Sequence, residues 1–473
     1  MFTGARIRLL AVTCAALFMA MLDNLVLGVA LPSIQQSFEA SLSDLQWFMN
    51  AYTLAFAVLL IPFSMFGERF GRKKMFLVGV VLFTLGSALS GLSENAISLI
   101  LSRALQGIGG AAIVPLSLTL VNAAFPANMR AAALGIWSGI SGLGLSVGPL
   151  VGGLIVEGAP WQLIFWINVP VGALAFALGM FWLRESKGER KPVDVPGILL
   201  LGVGLFGIIF GLEKGNEEGW GSALVVGSIA GGLLLLVLFY FLQRNKQHPF
   251  VRFSLFRSGK YAAYIFAGFW MNAGIFGAIF LLTLFLQQGQ QYSALEAGVR
   301  TMAWTGCTML TAPLAGFAVG RFGNRTLLAS GLILQGLALG GFSALILNFG
   351  VDFPFGYQAP FMMLGGIGMG LSFTPLAHGV LSSVPETSSG EASGVSNATR
   401  ELGGVFGIAI GGLIFQSGGA IRSASDFGDH IVPALLSSAG MIALGLISVL
   451  LFARSRAAKA ANTAPVQPAG EAS

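Results

Sequence analysis

The chain has 473 residues, of which 55% are hydrophobic and only 10% charged, with a formal net charge of +6. A soluble domain carries about 25% charged residues, so this composition excludes a water-soluble core and points to lipid as the solvent. The positive charge does not indicate nucleic acid, because the bases sit in short loops between apolar runs, as they do in membrane proteins beside an anionic leaflet.

Taken in chain order, Arg6 and Arg8 precede an apolar stretch whose beginning, Leu9 to Met21, resembles a signal peptide. The run continues to about Pro32, beyond a signal core, so it reads as a first span. About fourteen spans follow from runs of roughly 20 apolar residues. Their expected centres are Ala20, Phe56, Leu82, Ile108, Leu143 and Ala173, then Gly204 and Leu233. The last six centre on Ala273, Thr308, Leu334, Met369, Phe406 and Leu444. The longest connections, near Arg184–Asp194 and Gln243–Lys260, bracket spans seven and eight. The expected division is a six-helix bundle over 1–190, two additional helices over 191–250, a second six-helix bundle over 251–455 and an Ala/Pro-rich disordered tail over 456–473.

Loop charge supports an even number of spans. With a cytoplasmic N-terminus, the inside loops collect Arg69, Arg72, Lys73, Lys74, Arg130, Arg184, Lys187, Arg190, Lys191, Arg244, Lys246, Arg252, Arg257, Lys260, Arg321 and Arg325, and the tail adds Arg454, Arg456 and Lys459. The outside loops carry mostly acids (Glu39, Asp44, Glu94, Glu217, Glu218, Asp352, Asp426 and Asp429), with few bases, Lys214 and Arg422. A weak repeat links the halves. Gly67-Glu-Arg-Phe-Gly-Arg-Lys-Lys74 follows span two, and Gly320-Arg-Phe-Gly-Asn-Arg325 follows span ten, at the same stage of a six-helix unit. Repeated halves around a central site are a common transporter plan.

Few ionisable groups lie inside spans. Asp23 falls in the middle of span one, Arg103 in span four, and Arg400 and Glu401 in span thirteen. A charge at mid-bilayer costs about 2.5–3.5 kcal/mol on insertion scales, which makes each a functional candidate. An acid in an apolar cavity can carry a proton near neutral pH, and a neighbouring Arg opposes this. Asp23 and Arg103 are therefore read either as a proton-coupling pair or as a structural ion pair that locks helices. Arg400 and Glu401 are adjacent and point in different directions; an inner-gate ion-pair network is the expected role. Arg300, near the outside end of span ten, is expected to snorkel, and His378 to be a hydrogen-bonded packing residue. Glu68, Arg69, Gly71, Arg72 and Lys73 read either as helix-end groups that enforce topology or as a charge latch between neighbouring helices that forms in one state and breaks in another. In span five, the run from Gly142 to Gly153 puts Gly144, Gly148, Pro149, Gly152 and Gly153 in one apolar helix. Glycines there allow close helix approach, and proline can kink the helix. Cys14 and Cys307 lie far apart in sequence with no metal-binding spacing, so no metal or cofactor is expected. No GxxxxGK[ST], HExxH or GxSxG in a strand–turn–helix setting argues for an ATPase or a soluble enzyme.

With these residues in place, the chain resembles the major facilitator superfamily, in particular its fourteen-span drug:proton antiporters. Ser64 to Lys74 resembles the superfamily's loop motif at Gly71, Arg72 and Lys73, with Glu68 in place of Asp and Ser64 in place of Gly. Leu101 to Ala111 resembles its helix-four motif at Arg103, Gln106, Gly107 and Gly109, and the resemblance implicates Arg103 in proton transfer. Gly144 to Gly153 resembles the antiporter motif of helix five. Leu22 to Pro32 is similar to the helix-one motif at Asp23 and Pro32, with Leu25 and Gly28 replacing polar residues. Trp161 to Gly172 resembles the entry to helix six, keeping Phe165, Asn168, Pro170 and Gly172, while Gln162 and Leu163 depart from it. Ala398 to Gly404 resembles a late-helix pattern, with Glu401 in place of Gln as a second proton or cation site.

The resemblance implies an all-α membrane protein of the major facilitator fold and efflux of lipophilic or amphipathic drugs in exchange for protons. It implies a monomer in the bacterial inner membrane with both termini cytoplasmic. The expected cavity draws on spans one, four, five, ten and thirteen, with Asn24, Gln106, Trp137, Asn272 and Arg400 as candidate lining residues. A narrow exporter of one metabolite, a proton symporter or facilitator, and a membrane sensor stand as alternatives.

Overall fold

An apolar run can cross hydrocarbon only if its backbone N–H and C=O groups are paired within the segment, which makes it a helix. The computed structural model describes residues 4–187, 194–246, 249, 251–385, 388–419 and 424–452. Among them fourteen helices are long and apolar enough to cross a membrane, and each expected centre falls inside one. They are α1 (Gly4–Phe38), α2 (Leu42–Phe70), α3 (Arg72–Gly91), α4 (Ala96–Ala124), α5 (Ala127–Gly158), α6 (Leu163–Trp182), α7 (Val195–Glu218) and α8 (Ala223–Arg244). Then come α9 (Gly259–Gly289), α10 (Ala294–Phe322), α11 (Asn324–Phe349), α12 (Phe355–Leu381), α13 (Ser389–Ser417) and α14 (Ala424–Phe452). The expected junctions at 190/191 and at 250, the tail from 456, and Arg190, Lys191, Arg422, Arg454, Arg456 and Lys459 lie outside the described residues, as does the side chain of Arg130.

The helices pack as two repeats of one plan. In the first six, α4 packs on α2 and α3, α1 on α5 and α6, and α6 on α3. In the last six, α12 packs on α10 and α11, α9 on α13 and α14, and α14 on α11. The two bundles meet along two seams, α5 against α10 and α2 against α13. Those seams exchange when eight is added to the helix numbers of the first bundle. The extra pair packs together, and α7 also covers the α2/α13 seam.

Local chemistry explains the repeat seen in sequence. Gly71 and Gly323 end α2 and α10 with φ of +118° and +77°, a region open to glycine and strained for other residues. The starts of α2 and α10 also correspond: Ser41 with Asp44, and Ser293 with Glu296, form reciprocal capping boxes.

The start of α7 is clasped to the end of α8. Asp194 caps α7 by accepting from the Gly197 N–H at 2.9 Å and also accepts from Gln243 and Lys246. Burial opposes ionisation of Asp194, but the Lys246 ammonium, the Gln243 amide and the Gly197 N–H outweigh it and hold the carboxyl below its ordinary range. A value lowered on folding stabilises above the unfolded carboxylate pKa of about 4, and the effect is lost as pH falls through the folded value. Asp194→Asn is therefore expected to cost about 1–3 kcal/mol at neutral pH. Thermal melts of the detergent-purified protein should show this deficit at pH 7 and a shrinking difference as the pH drops below about 4.

Candidate functional site

A charge within a span must find its partners inside the protein. Asp23 on α1 is fully buried, and three side chains from other helices coordinate it. Arg103 Nη1 on α4 approaches Oδ2 at 2.5 Å. Gln106 Nε2, one turn further along α4, donates to Oδ1 at 2.8 Å, and Asn168 Nδ2 on α6 donates to the same oxygen at 3.1 Å. Asn168 also donates to Ser87 Oγ on α3, and Ser87 donates to the Phe165 carbonyl. Arg103 reaches α2 as well: its Nε donates to the Phe48 carbonyl at 3.2 Å, and its guanidinium lies 4.5 Å from the Tyr52 ring centre. Charge-assisted bonds of this kind are roughly twice as strong as neutral ones. The network thus joins α1, α2, α3, α4 and α6 around one carboxylate.

The approach of these helices depends on small residues. A Cβ at Gly107 would lie 2.2 Å from the Tyr52 carbonyl oxygen, and one at Gly86 would lie 2.6 Å from the Gln106 nitrogen. The glycines of α5 do the same for its two partners. Added Cβ atoms at Gly144, Gly148 and Gly152 would meet α1 at Met21 Cβ (2.9 Å), the Leu22 oxygen (3.1 Å) and the Val26 oxygen (2.7 Å). On the other side, a Cβ at Gly153 would sit 2.7 Å from the Ala294 oxygen of α10, and one at Gly298 of α10 would sit 2.4 Å from the Pro149 oxygen. The run from Gly144 to Gly153 thus lets α5 fit between its own bundle and the other.

The residues expected to form a latch come together within the first bundle. Arg72 donates from Nε and Nη2 to the two oxygens of Glu68, both at 2.8 Å, across the Gly71 turn. Beyond the α6 end, Glu185 accepts from the Lys73 and Lys74 N–H groups, each at 3.1 Å, at the start of α3. A helix N-terminus favours such an anion. Lys73 Nζ donates to the Met180 carbonyl, and the Arg69 guanidinium lies over the Phe70 ring. In the second bundle the exchange is reversed: Arg325, at the start of α11, donates to the Val449 and Leu450 carbonyls of α14.

Other expectations change. Arg400 and Glu401 do not form an inner-gate ion-pair network: neither makes an ion pair among the described residues. Arg400 lies over the Phe373 ring at 4.8 Å and donates to Asn397, and its Nε has no partner. Glu401 Oε2 is buried and unpartnered. Adjacency explains this, since neighbouring helix residues diverge by about 100°. Arg300 reaches back to the start of α10, where its guanidinium is 3.5 Å from the Tyr292 ring centre and pairs with Glu296. His378 is exposed near the end of α12 and bonds Asn324. A small apolar void lies between the bundles, lined by residues including Gly28, Met49, Pro149, Thr283 and Trp304. Its walls come from α1, α2, α5, α9 and α10, without α4 or α13, and none of Asn24, Gln106, Trp137, Asn272 and Arg400 lines it. Gln106 belongs to the Asp23 network, Trp137 bonds Ser117 of α4, and Asn272 is buried with both amide atoms unpartnered.

Sequence reasoning missed Tyr52, Ser87, Glu185 and Glu213. Tyr52 has a buried, unpartnered hydroxyl within electrostatic reach of Asp23, Arg103 and Glu401. Glu213 is a buried acid on α7. It closes the apolar run of span seven directly before Lys214-Gly-Asn-Glu-Glu218, and that polar neighbourhood made it read as part of a loop.

Two pseudo-equivalent six-helix bundles, with a buried charge network in one, define a multi-pass membrane protein of the secondary-transporter fold. The sequence profile of the Major Facilitator Superfamily matches residues 13–408, and the chain belongs to that superfamily. It is 34% identical over 411 residues to the tetracenomycin C resistance and export protein of Streptomyces glaucescens, covering 86% of this chain and 76% of that one. It is 34% identical over 410 residues to the multidrug resistance protein Stp of Mycobacterium tuberculosis, covering 86% and 75%. A methylenomycin A resistance protein of Bacillus subtilis is 30% identical over 439 residues, covering 92% and 93%. A solved D-xylose–proton symporter shares the fold with a TM-score of 0.67 at 13% identity, covering 95% and 98%.

Arg103→Ala leaves the Asp23 carboxylate buried without its cation and is expected to destabilise the protein by about 3–5 kcal/mol. Adding Asp23→Asn should restore part of that loss. Melting temperatures of the two single variants and the double variant give the coupling; additive effects would contradict the pairing.

Proposed function

We propose that the chain exports lipophilic or amphipathic small molecules in exchange for protons and has no enzymatic activity. The buried Asp23–Arg103 pair carries this reading. Three donors hold the Asp23 carboxylate, two on Oδ1 and Arg103 on Oδ2, and a proton taken up there removes the charge that binds Arg103. If Arg103 leaves, its hold on the Phe48 carbonyl of α2 is at risk too, and α2 forms one of the two seams. Proton uptake at Asp23 would then loosen a seam, which is the coupling that alternating access requires. Glu401, unpartnered within the second bundle, is the second candidate proton site. Relatives that carry resistance or export in their names support the substrate class.

The seams support a direction. Among the described residues, the hydrogen bonds joining the bundles lie from mid-helix toward the end of α1 that carries Phe38. They are Gln287 to the Val29 carbonyl, Gln288 to Gln35, the Leu295 N–H to Glu157, Gln46 to the Ile408 and Ala409 carbonyls, and Ser146 with Thr305. Toward the other end, positions 135, 139 and 142 of α5 and 306 and 320 of α10 have open space where a Cβ would stand. The basic loops crowd that same end, so we place it, with both termini, in the cytoplasm of a cell membrane. The described state is then open inward, ready to take substrate from the cytoplasm or bilayer. One charge moving down 100 mV supplies about 2.3 kcal/mol, enough for roughly a 50-fold gradient. Nothing in this scheme needs more than one copy of the chain.

A narrow exporter of a single antibiotic is the second reading, favoured by relatives named for tetracenomycin C and methylenomycin A. The test is proton flux in energised inside-out vesicles, read with a pH-sensitive dye against a panel of lipophilic cations and antibiotics. Wild type should release protons when a substrate is added, and Asp23→Asn should lose at least tenfold of that flux. Equal flux in both proteins would move the coupling role to Glu401, and intact signalling without flux would favour a sensor.

A further inference from the structure

The Asp23 mechanism leaves Glu213 unused. This residue lies on α7, where the additional helices cover the α2/α13 seam, and its side chain is 2% exposed. Glu213 Oε1 accepts from Asn50 Nδ2 of α2 at 2.7 Å. Its other oxygen, Oε2, has no hydrogen-bond partner. Neither has Asn50 Oδ1, nor Oε1 of Gln46, one turn earlier on α2. Gln46 directs its own amide N–H groups to the Ile408 and Ala409 carbonyls of α13. Three neighbouring buried residues thus leave three acceptor oxygens that call for a donor.

Charge does not resolve the mismatch. The charged groups within reach of Glu213 are Lys214 and Glu217 on its own helix, and they pair with each other. Asp44 and Glu218 act on Lys214. At this level α2 presents Gln46 and Asn50, and α13 presents backbone carbonyls, with that of Leu413 accepting from Asn216. An ionised carboxylate buried without a cation is far more costly than a neutral acid with its hydrogen bonds made. A proton on Oε2 turns that atom into a donor. It can then serve Asn50 Oδ1 while Oε1 keeps the Asn50 N–H, the reciprocal pairing of a carboxylic acid with a carboxamide.

We propose that Glu213 and Asn50, backed by Gln46, form a proton-binding site in the α2/α7 contact, separate from Asp23. The ligand is a single proton carried on the Glu213 carboxyl. The neutral acid fastens the additional helices to α2 beside the seam. Loss of the proton leaves an unmatched charge there and weakens the contact. This site rests on the geometry of the contact and holds whether or not the chain exports drugs.

The test is infrared difference spectroscopy on the full-length protein in lipid vesicles, which needs no transported substrate. At neutral pH, wild type and Glu217→Gln should both show the carbonyl stretch of a protonated carboxyl that Glu213→Gln lacks. The band should shift in Asn50→Leu, which removes the partner amide. Glu213→Gln keeps a donor and an acceptor in place of the neutral acid, so it should melt like wild type, while Glu213→Ala should melt lower. An identical protonated-carboxyl signal in wild type and Glu213→Gln would overturn the proposal. So would stabilisation by sodium or potassium that disappears in Glu213→Gln, which would make the ligand a metal cation. If Glu213→Gln does not insert, the Asn50→Leu spectrum decides: a shifted band supports the site and an unmoved band overturns it.

Discussion

A carboxylate inside a helical bundle has no water to fall back on, so the helices around it must deliver its partners to within hydrogen-bond distance. Asp23 imposes this condition on the first bundle. Arg103 and Gln106 must come from one face of α4, Asn168 from the first turns of α6, and Ser87 of α3 must hold Asn168. These groups meet only because backbones come close at Gly86 and Gly107. Packing and electrostatics therefore constrain each other here. A methyl group at either glycine would push apart helices that the ion pair needs together, and losing the ion pair would leave the close-packed glycines around a buried charge.

The two bundles share a packing plan and differ in their polar chemistry. The first satisfies its buried charges internally. The second holds Arg400, Glu401 and Asn272 with buried polar atoms that have no partner. Unsatisfied buried groups cost about 1–3 kcal/mol each, so the ionisable groups of the second bundle are under tension, as the Gln46, Asn50 and Tyr52 oxygens are in the first, whereas the Asp23–Arg103 pair is matched. A ligand with hydrogen-bonding groups, or a proton on Glu401, would relieve that tension. Tyr52 stands between the two sets, within electrostatic reach of both.

Much of this was legible in the sequence, and for physical reasons. Helix positions followed from apolar run length, because lipid leaves a long apolar segment no other way to pair its backbone. The Gly71 and Gly323 turns were visible as a repeat because positive φ selects glycine. Asp23 and Arg103 stood out because charge within a span is expensive, and they proved to be partners although 80 residues separate them. What stayed hidden depends on rotation about the helix axis. Periodicity could not show that Arg400 turns toward Phe373 and leaves Glu401 unpaired, nor that Glu213 faces Asn50 while Glu217 takes Lys214. A residue's height in the membrane can be counted along the chain, but its azimuth is set by neighbours distant in sequence.

The additional helices make the two seams unequal. On the α2/α13 side, α7 bonds to both bundles, through Asn50 on one and the Leu413 carbonyl on the other, and Gln46 joins the bundles directly beside it. On the α5/α10 side no third helix intervenes among the described residues, and the contact there runs through Gly153, Pro149 and Gly298 before opening toward the basic end. In the export scheme proposed above, rocking would turn about the clamped seam and open at the glycine seam. Parting the glycine seam would break the reciprocal Ser146–Thr305 bonds and the Leu295–Glu157 bond, with no third helix to hold the two sides. In such a movement the run from Gly144 to Gly153 would keep its contacts with α1, so α5 would travel with its own bundle while its other face parts from α10.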